Sequence, residues 1–139
     1  MKQLCLVFSI ICLFSLSSFA QQDEAGVRAC LENYMSGEGS RVEQAFHPSA
    51  SMKYIDYQTG EFKDMPIADY IARVKSNNSL GAPRPNRKIE IISMNVEGTA
   101  AQAKIKIETD KNILYDYMNL LKVNGEWKIV SKIFNRQDK

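Results

Sequence analysis

The sequence predicts an α+β domain in the order ααββαββββ, with an antiparallel sheet packed on N-terminal helices. Three observations carry that prediction. Apolar residues recur at helical spacing early in the domain, the period switches toward two from Ile89 onward, and turn signals divide the second part into four strands.

Ahead of the domain, Lys2 is the only charge, Leu4 to Leu16 is almost wholly apolar, and Ser18-Phe19-Ala20 supplies small residues around a cleavage point. These three regions predict a secretory signal peptide over residues 1–20 and a single domain over residues 21–139. The apolar run is shorter than the roughly 18 residues a bilayer span requires, so no stable membrane insertion is expected after cleavage. Export to a periplasm or out of the cell follows. Cys5 and Cys12 fall in the removed segment, and Ile11 is too bulky to precede a lipid-attachment cysteine. Cys30 alone remains, so no internal disulfide can form. Stability must then come from a packed core, which about 119 residues can supply. The net charge of +2, with scattered basic residues, argues against a nucleic-acid partner, and none is expected.

Val27, Cys30, Leu31 and Tyr34 form the apolar side of a first helix, ended by Gly37 and Gly39, with Cys30 read as a small core residue. Ser40 and Glu43 have capping-box spacing and predict the start of a second helix. Val42, Ala45 and Phe46 form its buried side and Pro48 closes it. Ser51 to Tyr57 reads as a strand, Gln58-Thr59-Gly60 as a turn, and Glu61 to Lys63 as the return. Asp64 is placed to cap a third helix whose stripe is Ile67, Tyr70, Ile71 and Val74. Ser76 to Asn86, with its Asn, Gly and Pro residues, reads as loop.

Four strands follow, separated by Glu97-Gly98, Asp110 to Asn112, and Asn124-Gly125. Asn-Gly favours a tight two-residue turn, which sets Lys122 opposite Trp127, Leu120 opposite Ile129, Met118 opposite Ser131 and Asp116 opposite Ile133. That face is apolar apart from Lys122, whereas the other holds Asn119, Lys128 and Lys132 among Tyr115, Tyr117 and Phe134. The first face should meet the helices. A two-residue turn at Lys111-Asn112 brings Ala103, Ile105 and Ile107 to the same side, so both turns direct Asp116 inward.

Phe46-His47-Pro48-Ser49-Ala50, Gly98-Thr99-Ala100-Ala101-Gln102-Ala103-Lys104, Asp116 to Lys122 and Gly125 to Val130, taken with the element order, resemble the nuclear transport factor 2-like superfamily. Within it the chain is most similar to the SnoaL-like group labelled "putative lumazine-binding". The resemblance implies a curved, cystatin-like sheet wrapped round helices to form a cone. It does not settle activity, because that fold hosts isomerases, dehydratases, epoxide hydrolases and non-catalytic binding proteins.

Asp116 is the sharpest chemical candidate, since a carboxylate on an apolar face is poorly solvated and can serve as a neutral hydrogen-bond donor. Its position resembles the oxyanion-binding acid of the ketosteroid isomerases. Those isomerases, however, carry a proton-abstracting Asp four residues past the alanine that opens strand one, and here that residue is Tyr54. A phenol with a pKa near about 10 is a poor base at neutral pH. Asp56, on the same strand face, is the substitute the sequence offers. His47, the sole histidine, titrates near neutrality and is a candidate acid or base, or else a cap on loose backbone. With no ligand set around it, no metal site is expected, and no cofactor motif occurs.

Tyr34, Met52, Tyr54, Asp116, Met118 and Trp127 are the residues expected to line an apolar pocket or to fill it as core. Three readings stay open. The leading one is non-catalytic binding of a small apolar ligand in the cone. The second is an isomerase- or dehydratase-type enzyme using Asp116 with His47 or Asp56. The third is a homodimer paired through the tyrosine-rich sheet face.

Overall fold

The computed structural model describes residues 21–80 and 86–139. The predicted signal peptide, with Cys5 and Cys12, lies outside the described residues, as do positions 81–85 of the expected loop. Helix α1 covers residues 21–35. It is followed by α2 (Gly39–Ala45), β1 (Phe46–Ile55), β2 (Phe62–Pro66), α3 (Ile67–Ser79), β3 (Lys88–Glu97), β4 (Ala100–Glu108), β5 (Asn112–Val123) and β6 (Glu126–Asp138). This is the predicted order. The strands form one six-stranded sheet in the order β2-β1-β6-β5-β4-β3. All neighbours are antiparallel except β1 and β6, which run parallel.

The core lies between the helices and one face of this sheet. Val27, Cys30, Leu31 and Tyr34 of α1 and Ile67 and Ile71 of α3 pack against Ala101, Ala103, Ile105, Met118, Leu120 and Ile129 of the strands. The inward set on β4 and β5 is the predicted one. Cys30 is buried there and its thiol donates to the Ala45 carbonyl at 3.3 Å.

Local boundaries differ where distant contacts decide them. Ser40 lies inside α2 and no side chain of its own segment caps that helix. The Gly39 N–H instead donates to Asn78 Oδ1 of α3 at 2.7 Å, and Asn78 Nδ2 returns a bond to the Gly37 carbonyl. Gly39 permits the approach, since a Cβ there would meet the Lys75 backbone at 3.0 Å. Asp64 caps nothing: it sits in β2 opposite Lys53 and forms an ion pair with it at 2.8 Å, while Pro66 occupies the start of α3. The third helix also runs on through Ser76 to Ser79, beyond its predicted end.

Phe46 keeps its expected burial but opens β1 instead of closing α2. Between Phe46 and Ser51 the pairing with β6 is broken, in a stretch containing Pro48, which has no N–H for the ladder. The β4–β5 turn falls at Asp110-Lys111, one residue before its predicted place, because Thr109 N–H bonds the Asn112 carbonyl and Glu108 pairs with Ile113. Asn124-Gly125 forms the expected tight turn, with φ of 51° and 84°.

The last hairpin contains the correction with most effect on function. Lys122 pairs with Trp127 and Leu120 with Ile129 as predicted, but the register then shifts, so that Asn119 meets Ser131, Met118 meets Lys132 and Asp116 meets Phe134. Val130 is the extra residue of a β-bulge. Beyond it the alternation of β6 reverses. Lys132, expected outside, is 4% exposed, and Ile133, expected inside, is 53% exposed.

Candidate functional site

Three elements bring a polar cluster into this apolar interior. Tyr34 comes from α1, Asp116 from β5, and Lys132 from β6 by way of the bulge. The Tyr34 hydroxyl donates to Asp116 Oδ2 at 2.5 Å. Lys132 Nζ donates to the Tyr34 oxygen at 2.7 Å and lies 3.1 Å from the same carboxylate oxygen. Asp116 is completely buried, and its Oδ1 has no hydrogen-bond partner among the described residues.

Burial controls the proton affinities here. It raises Tyr34 well above the ordinary phenol value, and the Asp116 charge adds to the rise. Tyr70 of α3 is raised by the same two causes in the same order. Lys132 is lowered, because the loss of solvent outweighs the attraction of Asp116. The phenols are thereby kept as proton donors, and the lysine holds its proton less tightly than a surface amine. The Tyr34 and Phe134 rings lie 4.9 Å from Lys132 Nζ and the Tyr70 ring 5.7 Å, a partial aromatic cage for positive charge.

This cluster borders a cavity of about 420 Å³, lined by Tyr34, Tyr70 and Lys132 together with Met35, Met52, Tyr54, Met65, Ile107, Leu114 and Phe134. Such a volume suits a small organic molecule. Arg73, Arg87 and Arg136 also line it. Arg136 stacks on Tyr57 at 4.1 Å and forms an ion pair with Asp138.

Of the six residues expected at the pocket, Tyr34, Met52 and Tyr54 line this cavity. Asp116 touches it only through Tyr34 and Lys132. Met118 is buried core, and Trp127 packs against α1, where a Cβ on Gly26 would come within 2.7 Å of its ring. Neither lines the cavity: Trp127 lies on the turn side of the bulge, and Met118, although it pairs with Lys132, is fully buried in the core.

His47 and Asp56, the residues named to move a proton with Asp116, do not converge on it, and Tyr54 holds the position where the isomerases carry their base. Tyr54 stacks on Phe134 with ring centroids 4.6 Å apart. Asp56 stands at the cavity rim, but its Oδ1 accepts the Gln58 and Thr59 N–H groups, which hold its carboxyl below the usual range. Its role there is to close the β1–β2 turn. His47 lies in the broken stretch of β1, bonded to Ser49 and away from the cavity.

Lys132 and Tyr70 are the residues that sequence reasoning missed. The signal for Lys132 was available in Asp116 itself, since an inward carboxylate on an apolar face requires a cation or strong donors. Among the described residues no helix is long and apolar enough to cross a membrane, and no three His, Cys, Asp or Glu side chains gather as metal ligands.

With this geometry in view, the family model described as "Putative lumazine-binding" matches residues 22–135. The chain belongs to that family. Its fold is that of the nuclear transport factor 2-like proteins. A solved structure from Shewanella baltica OS155, an NTF2-like protein of unknown function, superposes with a TM-score of 0.73 at 26% identity, covering 85% of this chain and 96% of that one. Another NTF2-like protein of unknown function, from Methylobacillus flagellatus KT, gives a TM-score of 0.71 at 29% identity, covering 84% of this chain and 93% of that one. Among curated proteins, the aldolase FrzH of a Cladobotryum species is 24% identical over 108 residues, which is 76% of this chain and 81% of that protein.

Proposed function

We propose that the protein is an exported binding domain that holds a small, largely apolar ligand in the cavity between α1, α3 and the sheet. The observation that carries this reading is the cavity itself: about 420 Å³, with methionine, aliphatic and aromatic side chains in its wall alongside Lys132 and three arginines. Apolar walls supply affinity and a few polar groups supply orientation. Binding without turnover is supported by Tyr54 in the isomerase base position and by the engagement of Asp56 with backbone amides.

Native mass spectrometry of protein purified from its own host is expected to reveal a retained small molecule. A thermal-shift screen of apolar carbonyls and alcohols should then raise the melting temperature of the wild type but not of Leu114→Trp, which fills the cavity. Identical responses of the two proteins would overturn the reading. Export is supported by the apolar segment Leu4 to Leu16. Sequencing of the host-made protein is expected to begin at Gln21, and an intact Met1 would count against it.

An enzymatic reading has one specific support, the similarity to an aldolase. Turnover of a carbonyl compound that is lost in Lys132→Met but retained in His47→Ala would favour it over simple binding. Pairing with a second copy is supported by the exposed Tyr117, Leu121 and Ile133. A monomer in sedimentation at high concentration would remove that reading.

A further inference from the structure

Lys132 is a primary amine on the wall of the cavity, itself buried and within hydrogen-bond reach of a phenol and a carboxylate. Among the described residues it is the one buried lysine. A surface ammonium is fully charged at neutral pH and carries no lone pair, whereas an amine in a desolvated site next to a proton acceptor can release its proton and become a nucleophile. The acceptor is present, because Asp116 Oδ1 is buried with no partner.

We propose that Lys132 captures a small apolar aldehyde or ketone in the cavity as a covalent iminium, with Tyr34 and Asp116 moving the protons. The inference rests on the reading of the cavity as a ligand site and names the chemical class of that ligand. Lys132 first passes one proton to Asp116, leaving a neutral amine and a neutral acid. The Nζ lone pair then attacks the carbonyl carbon, a C–N bond forms, and the π electrons move to oxygen. That oxygen takes a proton that originates on Nζ and passes through the Tyr34 hydroxyl, giving a neutral carbinolamine. Asp116 returns its proton through Tyr34 to the carbinolamine hydroxyl. Water leaves as the nitrogen lone pair forms the C=N bond. One carbonyl is consumed, one water is released, and Asp116 ends ionised.

The product suits its surroundings. An iminium keeps the single positive charge of the original ammonium, so the Asp116 ion pair and the rings of Tyr34, Tyr70 and Phe134 face the same charge before and after. The Tyr34 hydroxyl, which accepts from Nζ and donates to Asp116, already joins the two ends of the proton path.

The test uses the full chain with benzaldehyde as probe and sodium cyanoborohydride to reduce any iminium to a stable amine. Intact mass and peptide mapping should find one benzyl adduct, located on Lys132, at probe levels that label surface lysines on the order of tenfold less. Tyr34→Phe should keep the cavity but slow the labelling. Lys132→Arg should abolish it; if that variant does not fold, the map of the wild type alone decides. Adducts spread evenly over surface lysines, or a wild type unlabelled at Lys132, would overturn the proposal. Benzyl alcohol separates this outcome from failure of the ligand reading. If the alcohol raises the melting temperature while the aldehyde leaves no adduct, capture is excluded and the cavity remains a binding site. If neither compound shifts it, both fall together.

Discussion

Replacing Asp116 with Asn tests whether the buried cluster is held by charge. The 3.1 Å separation of Lys132 Nζ and Asp116 Oδ2 corresponds to an attraction of about 5 kcal/mol at an effective dielectric constant near 20. Asp116→Asn removes this attraction while Lys132 remains buried. The new amide still accepts the Tyr34 hydrogen bond, so the loss comes mainly from the stranded ammonium. Breaking such a pair costs roughly 3–5 kcal/mol, and retention of the Tyr34 bond sets the expectation at the lower end, about 3 kcal/mol. For a domain of this size that lowers the melting temperature on the order of 10 °C. Urea unfolding followed by circular dichroism measures it. Asp116→Asn combined with Lys132→Met removes both charges and should recover most of the loss. A single variant within about 0.5 kcal/mol of wild type, or a double variant that loses the sum of the two singles, would refute the reasoning.

Three further expectations concern packing and protonation. Asn78→Ala removes the cross-helix cap on Gly39 and should cost about 1 kcal/mol, and an unchanged urea midpoint would mean that solvent caps α2 equally well. Gly26→Ala drives a methyl into the Trp127 ring at 2.7 Å, so it should destabilise by about 1–3 kcal/mol and shift the emission of the sole tryptophan, a spectrum that unaltered packing would leave in place. Burial pushes the Cys30 thiol up from 9.0 to about 11, so the folded state keeps a proton that the unfolded chain loses first. The associated stability is fully present below pH 9 and is lost as pH rises toward 11, roughly 3 kcal/mol in all. Stability curves of wild type and Cys30→Ala should therefore converge over that window, and parallel curves would contradict the assignment.

The elements that the sequence made legible are those whose cause is local. Asn124-Gly125 specified a turn through its tolerance of positive φ, and that turn placed Leu120 against Ile129 correctly. The stripe of Ile67, Tyr70, Ile71 and Val74 marked the buried side of α3 because period alone determines it. What was hidden depended on partners far along the chain. The cap of α2 comes from Asn78, and the pairing of Asp64 comes from Lys53 in the neighbouring strand. Around Val130 neither Gly nor Pro announces an irregularity, and in Ser131-Lys132-Ile133-Phe134 each of the two possible faces carries one aromatic or aliphatic residue. Periodicity therefore could not decide between them, and the site was read with its acid but without its amine.

That indifference means β6 has two competing alignments with β5. One keeps an unbroken ladder and offers Ile133 to the interior; the other interrupts the ladder and sends Lys132 there. Solvent transfer alone favours the first, because an aliphatic side chain gains from burial what an ammonium loses. Selection of the second implies that the Tyr34–Asp116–Lys132 contacts, plus the room left beside them, offset both the missing ladder bond and the exposed isoleucine. A one-residue slip would exchange a hollow bordered by a buried amine for ordinary greasy filling, with no change in amino-acid composition.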